Sequence, residues 1–163
     1  MVIIVEGIDR VGKSTLCNKL SGKFKIPIHK YNGIVPYYKM KSDEETDKFL
    51  GIIQLLQETR SNIIFDRAYL TDFVYGIIER DYDHKKALFN FELIEFELQN
   101  LNITNDVHLV LMQPTDIMFS SYQHRKDLSL HNECFKDRFA ESNIKHKYEI
   151  NYNQIDDLVE NMK

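Results

Sequence analysis

Apolar residues recur along this chain in two rhythms. Val2-Ile3-Ile4-Val5 is unbroken, as in a strand buried on both faces. Leu16, Cys17 and Leu20 then fall at helical spacing, which predicts a helix over 13–22 with Gly22 as its stop. A short strand is expected over 25–30, and Pro27 inside it marks a sheet edge or a strand start. Residues 31–40 read as a loop holding Gly33, Pro36 and three tyrosines, Tyr31, Tyr37 and Tyr38. Ser42-Asp43-Glu44-Glu45 is a capping box with an acidic first turn. It opens a helix to about Gln57 that carries Phe49, Ile52, Ile53, Leu55 and Leu56.

A compact apolar strand follows over 62–65, then an aromatic helix over 70–79 and a polar break at Asp81, Asp83 and His84. The spacing of Leu88, Phe91, Leu93, Ile94, Phe96 and Leu98 predicts a longer helix over 85–100. A strand is expected over 107–112, stopped by Pro114. Next come a helix over 115–122, a basic turn over 123–127 and a helix over 128–142, with Phe135 and Phe139 one turn apart. A short strand over 148–152 and a helix over 155–162 close the chain. Strands alternating with helices predict an α/β domain: one parallel five-stranded sheet with helices on both faces.

At 163 residues and 43% hydrophobic content, the chain suits one domain with a full core. A net charge of −4 argues against a general nucleic-acid-binding surface. Cys17 and Cys134 are far apart and form no metal-binding pair, so Cys17 reads as a small buried thiol. No apolar run approaches the ~20 residues of a membrane span, and a soluble cytoplasmic protein is expected. His108 reads as a core or edge histidine, and no histidine–cysteine–carboxylate cluster has zinc spacing.

The chemistry begins right after the first strand. Residues 6–15, Glu6-Gly7-Ile8-Asp9-Arg10-Val11-Gly12-Lys13-Ser14-Thr15, contain the phosphate-loop pattern G-x-x-x-x-G-K-S/T in full. Gly7 and Gly12 let successive N–H groups turn inward on phosphate oxygens. The following helix adds its positive end to the same anion. Lys13 is a mobile cation for the outer phosphates, and the Ser14 hydroxyl is a hard ligand for Mg²⁺. Arg10 stands inside the cradle, where an arginine can cancel charge on a transferred phosphoryl group.

The second signal is Phe65-Asp66-Arg67-Ala68-Tyr69-Leu70-Thr71, at the end of a buried strand. Ligands of open α/β sheets bind off the carboxyl ends of strands. There an aspartate can hold Mg²⁺ or its waters, and an arginine can fork onto a phosphate.

Together these two segments resemble thymidylate kinases: the phosphate loop matches the family's opening, and Asp66-Arg67 with Thr71 and Tyr75 is similar to its D-R-Y-x-x-S-x-x-A-Y stretch. The resemblance implies a three-layer phosphate-loop fold and ATP–Mg²⁺-dependent phosphorylation of dTMP. It also implies roles. Asp9 would contact the acceptor sugar, Arg10 the transferred phosphoryl, Arg67 the acceptor phosphate, and Asp66 with Ser14 the Mg²⁺.

Three departures bear on the acceptor. His29-Lys30-Tyr31-Asn32-Gly33 stands where the family has R-E-P-G, leaving Lys30 or Arg60 to replace an arginine. Val74-Tyr75-Gly76 lacks the family's base-reading glutamine. Ile53 stands for an arginine near the base, with Phe49 as the stacking ring and Gln54 or Gln57 as base readers. Tyr37 and its neighbours can border a flat ligand or simply pack.

Gln123-His124-Arg125-Lys126 falls where such kinases carry a lid, about 122–142, with Arg125 as its phosphate contact; a solvated basic turn is the alternative. Arg138 reads as structural, and residues 151–157 border adenine by family position. The reading is thus a kinase for a deoxynucleoside monophosphate, most simply dTMP. The alternatives are a deoxynucleoside kinase, a kinase for a modified base in DNA, and a non-catalytic nucleotide-binding module. The family suggests a homodimer, with the helix of Leu88, Phe91 and Phe96 as its contact or as ordinary core.

Overall fold

In the computed structural model, described for residues 1–30, 42–115 and 127–163, five parallel strands form one sheet. They are β1 (Val2–Glu6), β2 (Ile28–Lys30), β3 (Ile63–Asp66), β4 (Val107–Gln113) and β5 (His146–Asn151). Their spatial order is β2-β3-β1-β4-β5. β1 is central, pairing Val2 with Ile63 on one side and with Val107 on the other. All five of its residues are buried, as an unbroken apolar run in a covered parallel sheet requires.

The described helices are α1 (Lys13–Phe24), α2 (Ser42–Thr59), α3 (Tyr69–Glu79), α4 (His84–Leu101), α5 (Asp127–Glu141) and α6 (Ile155–Asn161). The chain crosses from β1 outward to β2, then reverses. Right-handed crossovers therefore put α1 on one face and α2 to α5 on the other. The contacts agree: α1 packs with α6, while α2, α3 and α4 pack together and α3 packs with α5. None of the described helices is long and apolar enough to cross a membrane.

Several boundaries differ from the sequence reading. Gly22 does not end α1; the helix runs to Phe24, and Lys25 takes the left-handed cap (φ 58°) with its N–H on the Ser21 carbonyl. β5 begins earlier, at His146, and a single 3-10 turn over Tyr152–Gln154 replaces its expected end. α4 starts one residue earlier because the Asp83 side chain accepts from the Lys86 N–H, 2.8 Å away. The expected helix over 115–122 falls almost wholly outside the described residues.

Cys17 and His108 are buried, as expected. Arg138 is structural: its guanidinium lies over the Phe73 and Phe91 rings and it pairs with Glu141.

Candidate active site

Gly7 sits at φ 133°, and a Cβ there would lie 2.4 Å from the Met112 carbonyl oxygen. Gly12 sits at φ 97°, and a Cβ there would lie 2.6 Å from the Tyr152 ring. Only glycine meets both demands, so the phosphate loop lies tight against the ends of β4 and β5. Ile8 and Val11 are buried and anchor it from below. Arg10 sits in left-handed geometry (φ 66°) and is exposed, while Thr15 is half-buried in the first turn of α1.

Lys13 is buried, and its ammonium folds back to donate to the carbonyl oxygens of Gly7, at 2.8 Å, and Ile8. Burial, with the Arg67 cation adding to it, pulls its pKa down to about 8. These carbonyls satisfy two of the three donors of the buried ammonium.

The end of β3 meets this loop directly. The Ser14 hydroxyl donates to the Asp66 carboxylate at 2.7 Å. The Arg67 guanidinium pairs with the Asp9 carboxylate, itself half-exposed. Arg67 is in left-handed geometry (φ 76°), with its N–H on the Val5 carbonyl at 3.0 Å. Thus the two motif segments, far apart in sequence, share one cleft at the carboxyl ends of β1 and β3.

Lys30 lies opposite Asp66 in the β2–β3 register, at the same end of the sheet. Arg60 does not: it lies between the end of α2 and the start of β3, at the amino-terminal end of the strands. It therefore cannot replace an acceptor-site arginine.

The expected base-reading residues scatter. Gln54 points to solvent and pairs with Glu58, because helical periodicity turns it away from Phe49, Ile53 and Leu56, which are buried. Tyr75 is buried against His131 and Phe135 of α5, in the packing between helices rather than along the cleft. Phe49 is also buried, edge-on to Phe65 and stacked on Tyr69. Gly76 cannot host a longer side chain, since the Tyr82 ring fills the space beside it. Tyr37 and Arg125, with the first part of the expected lid, lie outside the described residues.

Two acidic groups went unread in the sequence. Glu6 is fully buried, and its carboxylate accepts from the N–H groups of Ala68 (2.9 Å) and Leu70 (3.0 Å) and from the Thr71 hydroxyl. Burial pushes its pKa up to about 7. An acid closing an otherwise apolar strand was the available signal. Asp72 stands in the apolar helix α3 and pairs with Arg80 at 2.9 Å. Burial raises its pKa to about 6. It borders two adjoining cavities of about 10 Å³ each, lined by Thr46, Tyr69 and Ile94 together with Phe49 in one and Asn90 in the other.

No family model and no curated protein sequence matches the chain. Solved structures do. The chain is similar to the YorR protein from Bacillus subtilis in complex with phosphorylated GDP, at 20% identity over 99% of this chain and 93% of that one, with a TM-score of 0.70. It is similar to deoxyadenosine kinase from M. mycoides with bound dCTP, at 18% identity over 99% of this chain and 97% of that one, TM-score 0.55. It is also similar to Polyphosphate Kinase 2 from Arthrobacter aurescens TC1, at 10% identity over 97% of this chain and 64% of that longer one, TM-score 0.63. With the phosphate loop and the parallel sheet order already established, these likenesses show that this chain has the fold of P-loop nucleotide and nucleoside kinases.

Proposed function

We propose that this protein transfers the γ-phosphoryl group of ATP to a deoxynucleoside monophosphate, with dTMP the first acceptor to try. The observation that carries the reading is the meeting of Ser14 with Asp66 and of Asp9 with Arg67 in one cleft. Phosphoryl transfer needs little beyond positioning and charge cancellation. Lys13 and the loop N–H groups would bind the triphosphate, and Arg10 would face the group in flight. Arg67 would leave Asp9 for the acceptor phosphate, freeing Asp9 for the sugar hydroxyl. Lys30, at the same end of the sheet, would be the second acceptor cation.

Ser14 and Asp66 offer a hydroxyl and a carboxylate 2.7 Å apart, hard oxygens suited to Mg²⁺. Bound there, the ion would draw charge from the β- and γ-phosphate oxygens.

A second reading, a deoxynucleoside acceptor without phosphate, is favoured by the single arginine at the end of β3 and its existing partner Asp9. One experiment separates the two: ATP consumption against a panel of nucleosides and nucleoside monophosphates, with Arg67→Ala and Lys30→Ala tested on the best acceptor. A phosphate-bearing acceptor should lose at least tenfold in kcat/KM in Arg67→Ala. No turnover with any acceptor rejects the enzyme and leaves a nucleotide-binding module.

A homodimer belongs to the same proposal. Phe89 and Phe96 are exposed seven residues apart on α4. Lysines (Lys85, Lys86) begin that helix and glutamates (Glu92, Glu97) follow, so antiparallel pairing of two copies would bring opposite charges together. A monomeric mass by light scattering at the highest soluble concentration rejects this part.

A further inference from the structure

We propose that Glu6 is a positioning residue that sets the direction of the Arg67 guanidinium, by latching the β3–α3 turn to the strand that carries the phosphate loop. The inference rests on the kinase reading for its consequence, and on geometry for its substance.

Three donors follow Arg67 closely: the N–H groups of Ala68 and Leu70 and the hydroxyl of Thr71. All three end on the Glu6 carboxylate, two N–H groups on one oxygen and the hydroxyl on the other. The Arg67 N–H itself ends on Val5, the neighbour of Glu6. Successive residues of β1 therefore grip both sides of Arg67. That grip matters because Arg67 is in left-handed geometry, which a non-glycine residue keeps only where its surroundings over-determine it. Ala68 is also away from the helical region, at φ −157° and ψ −132°. The N–H groups of the first turn of α3 have no carbonyl within their own helix to bind, and Glu6 supplies the acceptor from another element.

The same strand runs on into Gly7 and the cradle. One residue thus ties the donor site to the acceptor-side arginine at a fixed separation. A leucine at position 6 would fill the space but leave two buried N–H groups without acceptors. A glutamine would keep the latch: its amide oxygen accepts both N–H groups and its NH₂ donates to the Thr71 oxygen.

The test compares wild type with Glu6→Leu, Glu6→Gln and Thr71→Val. The Arg67 guanidinium resonances, read by ¹⁵N NMR in nucleotide-free protein, report its pair with Asp9 without any turnover. Resolved, slowly exchanging signals are expected in wild type and Glu6→Gln, with averaged signals in Glu6→Leu and partial averaging in Thr71→Val. With an acceptor that wild type phosphorylates, acceptor kcat/KM should fall about tenfold or more in Glu6→Leu and recover in Glu6→Gln, while the KM for ATP stays within twofold. Unchanged Arg67 signals in Glu6→Leu overturn the inference; if that variant does not fold, unchanged signals in Thr71→Val do so. Equal loss of ATP and acceptor binding also overturns it, because Glu6 would then be shaping the phosphate loop. Wild type that turns over nothing, with the signals behaving as expected, rejects the kinase reading and upholds the latch.

Discussion

The Ser14 hydroxyl donates to the Asp66 carboxylate across 2.7 Å, joining the first turn of α1 to the end of β3. These two oxygens come from segments 52 residues apart. Their meeting turns two separate motif fragments into one polar corner, beside a buried lysine.

That corner predicts a metal phenotype. Asp66→Asn should raise the Mg²⁺ concentration for half-maximal activity by roughly 10-fold or more, in line with losses on disturbing metal sites. Ser14→Ala should do the same to a smaller degree. Titrating Mg²⁺ at fixed ATP checks both, and an unchanged midpoint in Asp66→Asn removes the aspartate from the site.

Lys13 predicts a conflict between stability and binding. Its pKa is lowered to about 8, so burial of the cation opposes folding. Lys13→Met should fold as well as wild type or melt higher, yet lose ATP binding by about 100-fold or more. In wild type, ATP affinity should weaken as pH rises above about 8 and the free protein discharges this lysine. Calorimetric titration over pH 7 to 9 tests this; a flat profile contradicts it.

Glu6 gives a stability slope of definite sign. Its pKa rises from an ordinary 4.5 to about 7 on folding. Between those values the unfolded chain has released the proton and the folded protein keeps it. Stability from this group is therefore fully present below about pH 4.5 and falls as pH rises toward 7, by an amount on the order of 3 kcal/mol. Asp72, raised to about 6, adds a slope of the same sign. Urea unfolding of Glu6→Gln should show a shallower decline across this window than wild type.

Gly76 predicts a steric cost with a specific rescue. A Cβ there would lie 2.2 Å from the Tyr82 ring, so Gly76→Ala should destabilise by roughly 1–3 kcal/mol. In a Tyr82→Leu background the same change should cost distinctly less. Equal costs in both backgrounds would mean that the ring is not the obstacle.

The strands and helices were legible because their signals are local. Val2 to Val5 needs no partner to read as a doubly buried strand, and the phosphate loop spells its backbone in two glycines and a lysine. Pro27 read as a sheet edge or a strand start, and it directly precedes β2, which begins at Ile28 rather than Lys25 and lies at the edge of the sheet. Glu6 was different: it lay inside the recognised motif, but its three donors sit more than 60 residues away. Gln54 and Tyr75 were placed in the acceptor site by analogy, and packing turned one outward and the other in toward α5.

The sequence alone determined a phosphate-loop motif, the alternation that forces a parallel sheet, and an aspartate–arginine pair at the end of its third strand. Only the tertiary structure decided that Asp9 faces Arg67, that Glu6 anchors the turn beside it, and that Tyr82 occupies the space beside Gly76. The reason is physical. Backbone conformation and burial period are set by neighbours along the chain, whereas the partner of a buried polar group is whatever side chain or amide the sheet order brings within 3 Å of it.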